Sequence, residues 1–319
     1  MRYFCTYFDS NYLTRGITLY RSMELTSREP FMIWVLCVDD LSYRVMSRLN
    51  LPHTKLISMK EFETTYPDLP PLKAERNALE YLWTCKPSLA LYALDHDPDA
   101  DLITYLDADF FFFGDLQPMF DEIGSNAVMI CPHRFPAHMT RRAKRGIYNA
   151  GLLSFRRDED GLAALRWWRE KCIEWCFDRV EETRLAEQKY LNYFPARFNR
   201  VVELQHKGIN VACWNWMNYT FRKSGDVIMV DDQPLIFYHY ASLRAVNSWL
   251  YETGLLSWDP MPGYLLEWIY DPYLSAIKKN WLEARVIDGE ARLMGRVDYR
   301  FSPRRFLQSL RAGQIRRVR

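Results

Sequence analysis

Through its first hundred residues the chain alternates apolar runs of strand length with segments of helical spacing. The order is a strand in "RYFCTYF" (Arg2 to Phe8), a helix in "LTRGITLYRSMEL" with Leu13, Ile17, Tyr20 and Met23 on one face, a strand in "FMIWVLCV" (Phe31 to Val38), and a helix in "LSYRVMSRLN". Strands separated by helices cannot close as hairpins, so this order predicts parallel pairing with helices on both faces of the sheet. Next, "PPLKAERNALEYLWTCKPSLALYALDHDP" reads as helical pieces broken near Pro87, and a further strand runs into "YLDADFFFFGD" (Tyr105 to Asp115). The fold class predicted is α/β, with a mixed, mostly parallel, Rossmann-like sheet. In open sheets of this kind ligands gather at the carboxyl ends of the strands.

Beyond residue 125 the texture is more mixed. Strand candidates "NAVMICP", "AGLLSF", "DVIMV" and "LIFYHYA" stand around an amphipathic segment, "GLAALRWWREKCIEWCFDRV" (Gly161 to Val180), and at least one antiparallel partner is expected. From Ala245 tryptophan- and tyrosine-rich helical pieces follow, broken by "WDPMPG" and "YDPY". The expected organisation is one main domain over residues 1–243 and a helical C-terminal extension over 244–319 that ends in a basic tail. With 49% hydrophobic residues in 319, the chain can bury a substantial core.

Charge and composition narrow the function. Forty-two basic against forty acidic residues leave a formal charge of +2, which argues against nucleic-acid binding through overall charge. The eight-residue run "FMIWVLCV" is far below the roughly 20 residues that cross a bilayer. The N-terminus "MRYFCTYFDS" lacks the features of a signal peptide, so a cytoplasmic location is expected. Seven scattered cysteines form neither a disulfide framework nor a paired zinc pattern, and Cys172 and Cys176, one helical turn apart, are expected to pack. The tail from Tyr299 to Arg319 carries seven arginines and no acid. Phe306, Leu307, Leu310 and Ile315 among them predict a short basic amphipathic helix suited to an anionic membrane surface, a solvated end being the alternative.

The chemistry concentrates where a buried strand carries acids. Asp107 and Asp109, two residues apart, point the same way, whereas Ala108 points the other. Unpaired carboxylates are costly inside a protein, so they either reach solvent or meet a cation. Such oxygen ligands suit Mg²⁺ or Mn²⁺, which bridge carboxylates to the phosphates of a substrate. Asp115 follows a glycine and reads as a turn or capping residue, and "FDSNYLTRG" reads by itself as a strand-to-helix turn.

Taken in order, these segments resemble those of the glycosyltransferases of the GT-A fold, most closely the family 8 type that includes the lipopolysaccharide galactosyltransferases and glycogenin. The matching stretches are "FDSNYLTRG", "TCKPSLALYAL", "YLDADFFFFGDL", "YNAGLLSF", "AEQKYLN" and "YHYAS", spread over residues 2–242. The resemblance implies a nucleoside site around Thr6, Asp9, Asn11 and Tyr12, with Lys86 near the ribose and phosphates where arginine is usual. It implies Mn²⁺ or Mg²⁺ on Asp107, Asp109 and His239, a donor-sugar pocket lined by Asn149, Ala150 and Gly151, and a catalytic set of Gln188, Glu187 and Asp109. It further implies a UDP-sugar donor, a glycan or lipid-linked acceptor, and retention of anomeric configuration with Gln188 near the anomeric carbon.

Two departures stand out. Glu187 replaces an aspartate, and the G-x-x-K-P-W stretch that should follow His239 reads "ASLRAVNSW", leaving Arg244 as the replacement for the phosphate-binding lysine. In "LQHKGINVACWNW", His206 and Lys207 are candidates for phosphate or acceptor contacts and the tryptophans nearby for stacking on sugar faces, with a buried aromatic region and a satisfied histidine as the alternative. The basic stretch "PHRFPAHMTRRAKRG" (Pro132 to Gly146) is a candidate lid over the pyrophosphate, or a solvated charge run. A nucleotidyltransferase would need a glycine-rich phosphate loop after the first strand, which "FDSNYLTRG" poorly supplies. A haloacid-dehalogenase-type phosphatase would need threonine or valine where Phe111 stands. A non-enzymatic carbohydrate-binding role also stays open.

Overall fold

The computed structural model describes residues 1–294 and 303–318. As far as residue 203 eight strands follow one another: β1 (Arg2–Phe8), β2 (Phe31–Cys37), β3 (Thr54–Ser58), β4 (Leu102–Leu106), β5 (Phe110–Phe112), β6 (Val128–Pro132), β7 (Tyr148–Arg156) and β8 (Val201–Glu203). All but β5 join one sheet in the order β3-β2-β1-β4-β7-β6-β8. The pairs β2/β3, β1/β2, β1/β4 and β6/β8 are parallel, and β7 runs antiparallel to β4 and β6. The sheet is therefore mixed and mostly parallel, and β7 is the expected antiparallel member.

Helices α1 (Leu13–Thr26), α2 (Asp40–Leu49), α3 (Met59–Thr65), α4 (Ala78–His96), α5 (Gln117–Ile123), α6 (Glu159–Glu174) and the short α7 (Phe194–Arg197) flank it. Alternation along β1 sends Tyr3 and Cys5 into a core with Leu89 of α4 and Trp168 of α6, and Phe4 and Phe8 into a second core with Ile17 of α1 and Val45 of α2. With both faces covered, the strands need no polar side, which is why they read as continuous apolar runs.

Two expected breaks do not occur. The helix α4 runs through Pro87, and α8 (Gly263–Ile287) runs through Pro272. An interior proline forfeits a backbone hydrogen bond. Burial of every residue from Thr84 to Leu94 outweighs that loss in α4, whose start is fixed by a capping box between Asn77 and Glu80. Conversely, α6 stops at Glu174 rather than continuing to Val180, with Trp175 extended. Cys172 consequently packs in the main core, while Cys176 packs separately with Leu185 and Ala186. All seven cysteines are buried thiols.

Later strands form small sheets beside the central one. These are β9 (Val211–Ala212), β10 (Phe221–Ser224), β11 (Val227–Val230), β12 (Gln233–Pro234) and β13 (Phe237–His239), grouped as β5-β13-β9 and β10-β11-β12. The segment after residue 243 is not wholly helical. Its β15 (Leu250–Glu252) pairs antiparallel with β14 (Arg244–Ala245) on one side and with β16 (Ile315–Arg317) from the tail on the other. Helix α8 lies on α1 and α2, where Asn280 donates to Thr18 at 2.8 Å, Arg21 pairs with Glu283 at 2.7 Å, and Arg48 donates to the Ile287 carbonyl at 2.9 Å.

Within the tail, α9 (Pro303–Arg311) is helical, and Tyr299 to Ser302 and Arg319 lie outside the described residues. Ser309 donates to Glu252 at 2.8 Å, the Gln314 amide donates to the Met261 carbonyl at 3.2 Å, and Arg316 pairs with Asp271. The tail thus folds back on the body. Among the described residues no helix is long and apolar enough to cross a membrane.

Candidate active site

The strand β4 ends at Leu106, the chain turns through Asp107 to Asp109, and β5 then pairs antiparallel with β13 so that Phe110 lies opposite His239. The Tyr240 amide donates to the Asp109 carbonyl at 3.0 Å and locks the register. This pairing brings His239 Nε2 to 3.1 Å from Asp109 Oδ1 and 3.9 Å from Asp107 Oδ2. Ligand atoms of Asp107, Asp109 and His239 all lie within 4.8 Å of one another. Burial favours a protonated Asp109, but the charge and hydrogen bond of His239, with help from Arg15, outweigh it and hold the carboxyl below its ordinary range. The imidazole lies edge-on to Phe110 at 4.6 Å and Trp214 at 5.0 Å, and its buried Nδ1 has no hydrogen-bond partner among the described residues. Two carboxylates and one imidazole nitrogen so gathered fit a hard divalent cation.

Behind Asp107 stands a buried ion cluster. Lys86 Nζ donates to Glu187 Oε1 at 2.8 Å, Asp107 Oδ1 at 3.3 Å and the Ala150 carbonyl at 3.1 Å. Burial would strip the Lys86 proton, yet Asp107 and Glu187 reverse that and raise its proton affinity well above the ordinary lysine value. Tyr105 also donates to Asp107 Oδ1, at 2.8 Å. A lysine in place of arginine and a glutamate in place of aspartate, separate departures in the sequence, meet here as one pair: a shorter base against a longer acid.

Gly151 lines the cleft and is also closely packed. A Cβ there would lie 2.6 Å from Asp107 Oδ2 and 2.7 Å from Asn149 Oδ1, so the glycine makes room for the carboxylate rather than only for a ligand. The Asp107 amide donates to the Gly151 carbonyl at 2.9 Å, and the Gly151 amide to Asn149 Oδ1 at 3.1 Å. Gln188 accepts from the Ala150 amide at 3.5 Å and donates to the Arg145 carbonyl at 3.0 Å.

These groups line a cleft of two adjoining lobes, of about 410 and 300 Å³, that share Tyr7, Tyr12, Leu79, Trp83, Asp107 and Asp109. Asn149, Ala150, Gly151, Glu187, Gln188, Lys86 and His239 line the larger; Asp9 lines the smaller. Asp9 also builds its own turn, accepting from the Asn11 and Tyr12 amides at 2.9 and 3.0 Å. One face of Tyr12 is covered by the Arg15 guanidinium, 4.2 Å from the ring centroid. Arg15 is buried and donates to the Leu243 carbonyl at 2.7 Å.

Several expected residues stand elsewhere. Thr6 is buried on the Phe4 and Phe8 face of β1, and Tyr7, one residue on, lines the cleft instead. The Asn11 side chain does not line it, donating to Asp9 at 2.8 Å and accepting from Arg292 at 2.9 Å. Arg244 sits in β14 and is not a lining residue, so it does not replace the missing lysine. The His206 amide is bound by Glu122 and its Nδ1 accepts from the Gly208 amide, while Lys207 pairs with Asp231 and Asp232. Neither lines the cleft. Asp115, just before α5, accepts from the Gln117 amide at 2.7 Å.

Trp214, one of the tryptophans of the "LQHKGINVACWNW" stretch, lines the larger lobe; residues that sequence reasoning missed include Tyr7, Trp83, His133 and Trp258. Trp83 stands one helical turn before Lys86, a spacing that could have marked it. Burial lowers the pKa of His133 to about 3, so its ring is neutral, donating from Nδ1 to the Ile147 carbonyl at 3.2 Å with Nε2 toward the Asn149 amide. No local pattern singles out Tyr7 or Trp258.

No family model matches the chain. It is 31% identical to the uncharacterized protein YfnF of Bacillus subtilis over 76% of this chain and 82% of that one, and 28% identical to YfnD of the same organism over 80% and 82%. Among solved structures it is similar to the galactosyltransferase LgtC in complex with donor and acceptor sugar analogs, at 16% identity and a TM-score of 0.48 over 84% of this chain and 100% of that one. It is also similar to mouse xyloside xylosyltransferase 1, at 12% identity and a TM-score of 0.47 over 75% and 97%. At these values the structural likeness is loose and says nothing of activity.

Proposed function

We propose that this chain, which belongs to one family with YfnF of Bacillus subtilis, is a metal-dependent glycosyltransferase of the GT-A fold. It transfers a sugar from a UDP-sugar to a hydroxyl of a glycan or lipid-linked acceptor in the synthesis of bacterial surface polysaccharide. The observation that carries this reading is the meeting of Asp107, Asp109 and His239 at the junction of two cleft lobes, one walled by aromatic side chains and the other by Asn149, Gly151 and Gln188. The order of the motifs in the sequence supports it independently.

Mn²⁺ or Mg²⁺ held by Asp107, Asp109 and His239 would, when bound, stabilise the negative charge of the departing nucleoside diphosphate as a Lewis acid. The protein's own groups do the rest. Tyr12, backed by Arg15, offers its open face to the uracil; Asp9 shapes the turn beneath it. Lys86 orients Asp107 and Glu187, so Glu187 is a positioning residue, tied up as an ion pair. Asn149, Ala150 and Gly151 wall the donor sugar. Gln188, held between the Ala150 amide and the Arg145 carbonyl, lies beside the reacting carbon, and the acceptor attacks with retention of configuration.

Mn²⁺ with UDP should raise the melting temperature, and Mn²⁺ with CTP should not. In Tyr12→Ala the affinity for UDP should fall by roughly 1–2 kcal/mol, the scale of an aromatic contact, with the unliganded melting temperature little changed. Calorimetry showing no binding of UDP, GDP or TDP with Mn²⁺ would remove the nucleotide-sugar reading.

The same reading places the protein in the cytoplasm against the inner face of the membrane through α9. Leu307 and Leu310 are about half exposed there, with Arg304 and Arg311 exposed on the same short helix. Because β16 holds β15, truncation would damage the body, and substitution is the cleaner test. Leu307→Ser with Leu310→Ser and Arg311→Gln should abolish sedimentation with anionic vesicles at low salt and leave transfer to a soluble acceptor intact. Equal sedimentation of both proteins rejects the membrane contact.

A further inference from the structure

A nucleoside diphosphate brings negative charge into a cleft already lined by Asp107, Asp109, Asp178 and Glu187. One divalent cation offsets part of that. Lys86 offers little more, because its ammonium is committed to Glu187, Asp107 and the Ala150 carbonyl. Arg15 is buried behind Tyr12.

The other cations that line the cleft come from one short segment, the 3₁₀ stretch Ala137–Arg145, which carries Arg141, Arg142, Lys144 and Arg145 and no acid. Of these, Arg142 and Arg145 face the cleft. The Arg142 guanidinium lies 3.9 Å from the Trp258 ring centroid and donates to the Ser257 carbonyl at 2.8 Å; among the described residues it bonds no carboxylate. Arg145 pairs with Asp178 at 3.3 Å, but both side chains are at least half exposed, and such a pair is weak enough to exchange for a phosphate.

Packing sets Arg142 on the metal side of the cleft. His239 lies 5.0 Å from Trp214, Trp214 lies 6.0 Å from Trp258, and Trp258 carries Arg142. The Trp258 indole also donates to Ser242, three residues beyond His239, at 3.1 Å. The segment is held at both ends. His138 meets Asp259 at 2.8 Å, and the Arg145 carbonyl accepts from Gln188 at 3.0 Å.

We propose that Arg142 and Arg145 are the diphosphate-binding cations of this cleft, delivered by the 137–145 segment and positioned by Trp258 and Gln188 from other parts of the chain. The inference rests on the nucleotide-sugar reading for what the diphosphate is attached to. Arginine suits the task because its planar fork presents paired donors to phosphate oxygens.

Calorimetry with Mn²⁺ and either inorganic pyrophosphate or UDP tests the two readings separately. In Arg142→Gln and in Arg145→Gln the affinity for both probes should drop about tenfold, and more in the double variant, as expected for charge-assisted hydrogen bonds. Uridine affinity should not change. The double replacement Arg142→Lys with Arg145→Lys should recover most of the loss; recovery of none would assign it to packing on Trp258 and overturn the proposal. Equal pyrophosphate binding by the wild type and the double glutamine variant would overturn it too, as would a wild type that binds no pyrophosphate. If pyrophosphate binding depends on the two arginines while UDP binds no better than pyrophosphate, the clamp stands and the uridine site falls.

Discussion

Asp109→Asn should cost roughly 10²-fold or more in sugar transfer while the protein keeps its fold, and the stabilisation by UDP with Mn²⁺ should vanish with it. The carboxylate is buried, hydrogen-bonded to His239 at 3.1 Å, and kept ionised by that contact, so its charge, and not its shape, is what the substitution removes. His239→Ala should act differently. Both carboxylates remain, so activity should return in part as Mn²⁺ is raised, whereas Asp109→Asn should not be rescued over the same range. The measurements are an Mn²⁺ titration of initial rates and melting temperatures with and without UDP. Full activity in Asp109→Asn would refute the metal centre; absence of any transfer by the wild type at every Mn²⁺ concentration would return the chain to the binding-protein alternative.

Lys86→Met should be the most damaging single change to stability, at about 3–5 kcal/mol, because it leaves buried Glu187 and partly buried Asp107 without their cation. The pH dependence has a definite sign. Burial raises the pKa of Glu187 and Lys86 pulls it back, so removing Lys86 lets it rise further above its unfolded value. A group whose folded pKa is raised stabilises the fold at pH below its unfolded pKa and loses that contribution as pH rises, so the deficit of Lys86→Met should shrink on acidification toward the ordinary glutamate range. Adding Glu187→Met should restore most of the stability at neutral pH and none of the activity. By contrast, Lys86→Arg with Glu187→Asp exchanges base and acid together and should retain both. Chemical denaturation at several pH values checks the series; a Lys86→Met protein as stable as wild type at neutral pH would mean that the cluster is not an ion pair.

How far the sequence reached follows from the range of the interactions concerned. The elements β1, α1, β2 and α2 stand within a residue or so of where apolar periodicity puts them, because the direction of a side chain from a strand or helix is a local property. Asp107 and Asp109 were legible as acids following a buried strand, but β4 ends at Leu106, so they converge through the turn after it and not through the alternation of a strand. Local rules failed where packing overrode them. Pro87 and Pro272 lie inside unbroken helices because the surrounding residues are buried, and α6 ends where Trp175 turns extended.

Thr6 shows the limit on the scale of one residue: a resemblance locates a strand, but only the pleat decides that Tyr7 and not Thr6 meets the cleft. Only tertiary structure could join Lys86 to Glu187, 101 positions apart, as one ion pair, or carry Arg142 onto Trp258 at 3.9 Å beside the metal ligands. Sequence by itself determined the first strands and helices and the acids that follow β4. Which distant cations and aromatic rings answer those acids was decided by long-range strand pairing, such as β5 with β13, and by helix packing, since neither leaves a periodic trace in the chain.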